Sequence, residues 1–74
     1  MPAIPIYFIS GGKVITKVEV ELPWEIEKLR EYATASPGRL LVVDYGDVLK
    51  AAYQPSTLED YSKVRRIYII IPSH

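Results

Sequence analysis

The residues of this sequence that could carry chemistry are few and scattered. His74 is the only histidine, and there is no cysteine, so neither a metal-ligand set nor a nucleophile–base pair can be assembled around it. Asp44 and Asp47 flank Tyr45-Gly46 and would be a carboxylate pair or cation site if they converged. Aspartate is also favoured in tight turns, and turn chemistry accounts for both. Gly11-Gly12-Lys13 has the composition of a phosphate loop, but a strand pattern follows it, so no helix N-terminus faces the loop. Lys63, Arg65 and Arg66 beside Tyr68 would suit a nucleic-acid contact. No catalytic residue, cofactor or metal site is expected, and enzymatic activity ranks last.

Bulk composition narrows the classes further. Nine basic and nine acidic residues give zero formal charge, whereas a domain living on phosphate backbones carries a basic excess. Nucleic acid is thereby disfavoured as a partner. With 74 residues, 49% hydrophobic and 24% charged, residues 1–74 are expected to form one globular domain. No apolar run approaches the ~20 residues that span a bilayer. Met1-Pro2-Ala3-Ile4-Pro5 has no basic n-region, so the cytoplasm is the expected location and a membrane is not. Asn is absent and Gln54 and Met1 are single, a thinning of thermolabile residues that suits a thermophile.

The elements that must position these residues follow from periodicity. Ile4–Ser10 predicts a strand with Ile4, Ile6 and Phe8 on one face and Tyr7 and Ile9 on the other. Gly11-Gly12 supplies positive φ for a tight hairpin. Lys13–Leu22 alternates, with Val14, Val18, Val20 and Leu22 against Lys17, Glu19 and Glu21. Pro23 suits a first helical turn, and Ile26, Leu29 and Ala33 mark one buried stripe. Ser36-Pro37-Gly38 ends that helix. Leu40–Val43 is a short apolar strand, Asp44–Asp47 a turn, and Val48–Tyr53 either a returning strand or a helical turn. Thr57 would cap a helical turn through Tyr61. Arg66–Ile71 is a strand with both rows apolar, as a central position requires.

This order of elements resembles the β-grasp fold, and the ubiquitin-like family in particular. "GKVITKVEVE" at Gly12–Glu21 resembles the ubiquitin strand "GKTITLEVE", and "RLLVVDYGDVL" at Arg39–Leu49 resembles "RLIFAGKQL". "TLEDY" at Thr57–Tyr61 is similar to "TLSDY". The resemblance implies an α+β fold, a mixed four- to five-stranded sheet with one helix on one face. Ubiquitin-like modifiers end in Gly-Gly, whereas this sequence closes on Pro72-Ser73-His74, so conjugation and sulfur transfer are not expected. The resemblance also leaves room for a role as a small accessory subunit of an enzyme complex.

One helix can roof only one side of such a sheet. If Ile67, Ile69 and Ile71 face the helix, Tyr68 and Ile70 lie outside, joined by Leu41 or Val43, with Lys50, Arg65 and Arg66 as a charged rim. Exposed apolar patches on soluble domains mark partner surfaces. The expected activity is therefore protein binding without catalysis, through a face that takes a protein partner or forms a homodimer. A register slip by one residue would exchange the two faces.

Overall fold

The computed structural model describes residues 3–52 and 60–73. Its elements run β1 (Ile4–Ser10), β2 (Lys13–Val20), α1 (Ile26–Thr34), β3 (Leu40–Asp44), β4 (Leu49–Ala52), a 3-10 turn (Tyr61–Lys63) and β5 (Arg66–Ile70). The chain is α+β, with five strands in one mixed sheet ordered β2-β1-β5-β3-β4. The first and last strands in sequence, β1 and β5, are parallel neighbours, and the other pairs are antiparallel. Among the described residues no helix is long and apolar enough to cross a membrane.

The β1–β2 hairpin closes through Gly11 and Gly12 at φ 59° and 76°. Two consecutive positive φ values are what a two-residue type I′ loop requires, and glycine adopts them without a Cβ penalty. Below the turn, Phe8 faces Thr16 but Ile9 faces Val14, so Ile15 is an extra residue in β2. This β-bulge reverses the parity of the strand. Val18 and Val20 take the inner face as the alternation predicts, but Val14 pairs with Ile9 on the other side and is 58% exposed.

Leu29 and Ala33 of α1 are buried, with Ile26 and Tyr32 half-buried against the same core. Pro23 lies in the turn before the helix, after a cis peptide bond, and not in the first helical turn as predicted. Glu25 closes that turn. Its N–H donates to the Glu21 carbonyl at 2.7 Å, and its Oε1 accepts the Glu21 N–H at 2.8 Å. At the other end Arg39 donates to the Tyr32 carbonyl at 2.5 Å and to Ser36 Oγ at 2.9 Å, satisfying a carbonyl of the last turn. Its guanidinium also lies 5.9 Å from the Phe8 ring centroid.

The core sits between α1 and one face of the sheet. Ile6, Val20, Leu29, Ile67 and Ile69 are almost completely buried there, with Phe8, Leu22, Leu41, Val43 and Val64. Each aliphatic side chain fully removed from water contributes roughly 1.5–3 kcal/mol. Phe8 meets Tyr32 edge-to-face, with centroids 5.5 Å apart. Leu49–Ala52 is a strand, which settles the choice between strand and helical turn over those residues. Thr57, Leu58 and Glu59 of "TLEDY" lie outside the described residues, as do Tyr53 and His74; the described turn begins at Tyr61.

Candidate functional site

β5 lies in the middle of the sheet, so each of its side chains has a neighbour on both sides. Ile67 and Ile69 face the helix, and Tyr68 and Ile70 face away from it. Tyr68 stands between Tyr7 of β1 and Val42 of β3, and Ile70 between Ile9 and Leu40. Residues opposite one another share a face, so six side chains form two adjoining rows, Tyr7–Tyr68–Val42 and Ile9–Ile70–Leu40. The tyrosine rings stack with centroids 5.6 Å apart and planes at 25°. No described element covers these rows. Ile70 is 36% exposed, although it belongs to the strand that also holds the fully buried Ile67 and Ile69.

Charged pairs border the rows. Arg66 Nε lies 3.3 Å from Asp44 Oδ2 at one end. The Tyr68 hydroxyl, and then the Asp44 carboxylate, hold the Arg66 guanidinium above its usual pKa. On β2, Lys17 stands opposite Tyr7 and makes a loose ion pair with Glu19 at 3.9 Å.

The structure divides the seven residues expected at this surface. Tyr68 and Ile70 lie on the open face, and Arg66 beside them on the same row of β5. Leu41 and Val43 do not: they pair with Ile69 and Ile67, are 4% and 3% exposed, and belong to the core. The expectation that either lines the open face is corrected by this pairing, which fixes the parity of β3 and brings Leu40 and Val42 outward. Lys50 faces Val43 and so lies toward the helix side, where its Nζ sits 5.7 Å from the Tyr45 ring centroid. Arg65 precedes β5; its side chain crosses the β3–β4 turn above Gly46. Neither is a rim residue of the open face.

No family model, curated protein or solved structure matches this chain.

The other candidates take structural parts. Asp44 Oδ1 accepts the Gly46 N–H at 2.7 Å, an Asx turn, while Oδ2 holds Arg66. Asp47 joins Tyr45, Gly46, Ser62, Lys63 and Arg65 around a separate cleft of about 510 Å³ between the β3–β4 turn and the 3-10 turn. That cleft is of mixed sign, and Lys63 reaches Asp60 at 3.4 Å. Among the described residues no three His, Cys, Asp or Glu side chains converge to hold a metal.

Tyr7 and Ile9 supply two of the six side chains of the open face and stand outside the expected set. Their signal was present in β1, where Ile6 and Phe8 already fill the inner row and the outer row is apolar as well. The arrangement offers aromatic and aliphatic surface with a few charges at its edges.

Proposed function

We propose that this chain is a non-enzymatic, ubiquitin-like module of the β-grasp type that binds a protein partner through its open sheet face. The sequence correspondences at Gly12–Glu21, Arg39–Leu49 and Thr57–Tyr61 support the family reading. The hairpin, single helix, short strand pair and parallel β1–β5 centre are compatible with a β-grasp arrangement. One observation carries the function: the two rows Tyr7–Tyr68–Val42 and Ile9–Ile70–Leu40 are apolar on the side that no described element covers. Stacked Tyr7 and Tyr68 would be the anchors, since aromatic side chains present large area at low conformational cost. Leu40, Val42, Ile9 and Ile70 would exclude water around them.

The test begins with a photoreactive residue in place of Ile70, to trap and identify a bound protein. That protein, purified, is then titrated onto isotope-labelled domain. Chemical-shift changes confined to the six face residues and their neighbours are expected, with binding lost in the double variant Tyr68→Ser/Ile70→Ser. That variant should still unfold cooperatively. Shifts confined to the helix side, or binding undiminished in the double variant, would overturn the proposal. An unfolded double variant would assign the pair to the core.

A further inference from the structure

β2 is an end strand of the described sheet, with β1 on one side and no described strand on the other. Pro5, which has no N–H to donate, stands opposite Glu19. That suits the position where an antiparallel pair exchanges no hydrogen bonds. Backbone groups alternate in direction along a strand, so Glu19 and Lys17 turn their N–H and C=O outward, and Val18 bonds toward β1. The usable edge is short. Ile15 is the extra residue of the bulge at one end. At the other, both backbone groups of Glu21 are bonded to Glu25. Thr16–Val20 remains as a stretch of strand with a free edge.

This stretch carries its own charge complement. A two-fold axis normal to the sheet would bring the β2 of a second copy alongside in antiparallel orientation, with both helices on the same side. Because side chains alternate with a period of two, only registers that match residues of one sheet face are allowed. A register centred on Lys17 sets Lys17 against its own copy, and one centred on Glu19 sets Glu19 against its own copy. Like charges directly opposite are destabilising. The register centred on Val18 sets Lys17 against Glu19 at two symmetric places, Val18 against Val18, and Thr16 against Val20. In the single chain the Lys17–Glu19 contact is loose at 3.9 Å and both side chains are about half exposed, so both charges are free to pair across an axis.

We propose that the chain self-associates through the β2 edge in the Val18-centred register, joining two five-stranded sheets into one continuous sheet. Edge strands are commonly guarded by lysine and by bulges. Here the bulge ends the pairing at Ile15, and the lysine that would repel a foreign strand meets a glutamate when the strand is a copy. The surface is the edge of the sheet and not its open face, so this goes beyond the function proposed above.

Sedimentation velocity over a concentration series tests it on the full chain, with Lys17→Glu, Glu19→Lys and the double exchange. Each single variant turns both cross-axis pairs into like charges, and its dissociation constant should rise roughly tenfold or more. The double exchange restores opposite charges and should restore association. The Lys17 and Glu19 amides should gain protection from hydrogen exchange as concentration rises. A wild-type chain that stays monomeric into the millimolar range would overturn the proposal. So would single variants that fold and associate like wild type. Self-association lost in Tyr68→Ser/Ile70→Ser but intact in both charge variants would also overturn it, placing the contact on the open face.

Discussion

Tyr7 and Tyr68 occupy matching positions on parallel neighbouring strands and stack on the sheet face turned away from α1, with ring centroids 5.6 Å apart. A stacked aromatic pair contributes beyond the area that it buries. Replacing either by Leu keeps an apolar side chain while removing the ring–ring contact. A double-mutant cycle with Tyr7→Leu and Tyr68→Leu, followed by urea denaturation, should return a coupling of about 0.5–1.5 kcal/mol. Additive effects would mean that the rings touch without stabilising one another.

The parity of β3 makes a second prediction. Leu41 faces Ile69 in the core, whereas Val42 faces Tyr68 on the open side. Leu41→Ala should cost about 2–5 kcal/mol, the usual range for truncating a buried leucine. Val42→Ala, one residue along, should cost about 1 kcal/mol or less. Midpoints of denaturation measured for the two variants decide it, and a reversed order would mean that the strand is slipped by one residue.

That parity also marks where the sequence ceased to be legible. In β1 and β5 the alternation sorts the side chains into the same two rows that the strand pairing shows, because they recur with period two. Leu40-Leu41-Val42-Val43 is uniformly apolar, so nothing within it says which pair points inward. The decision comes from pairing with β5, a contact distant in sequence. Val14 failed for another reason: the bulge at Ile15 inserts one residue, and no local pattern announces it. Lys50 and Arg65 are close in sequence to the open face but turn toward the Tyr45–Gly46 turn. Tyr68 and Ile70 were readable because the strand that carries them is apolar on both sides.

The Gly46 turn gives a third prediction. Gly46 has φ 95°, and a Cβ built there would lie 2.7 Å from Arg65 Nε. Gly46→Ala meets two obstacles, backbone strain of about 1–2 kcal/mol and a clash with a side chain that can swing away. The backbone cost should dominate. Gly46→Ala is therefore expected to remain destabilised by about that amount when Arg65→Ala is added, as read by urea denaturation. Full recovery in the double variant would mean that the Arg65 contact, and not φ, requires glycine.

The junction between β2 and α1 should respond to acid. Lys28, at 2.6 Å from Glu25 Oε2, and then the Glu21 N–H hold the Glu25 carboxyl below its ordinary pKa of 4.5. A carboxyl whose pKa is lower in the folded chain than in the unfolded chain binds protons more tightly when unfolded. Its stabilising contribution is therefore fully present above pH 4.5 and disappears as pH falls through the lower, folded value. Glu25→Gln removes that dependence and keeps an oxygen that can accept the Glu21 N–H. The wild type should lose stability between pH 4.5 and its folded pKa more steeply than the variant, with the two curves parallel at neutral pH. Lys28→Met should reduce the same slope, because the ammonium is the larger cause of the shift. Urea midpoints collected across that acid range measure it, and wild-type and Glu25→Gln curves that stay parallel there would show that the clasp contributes nothing to the acid response.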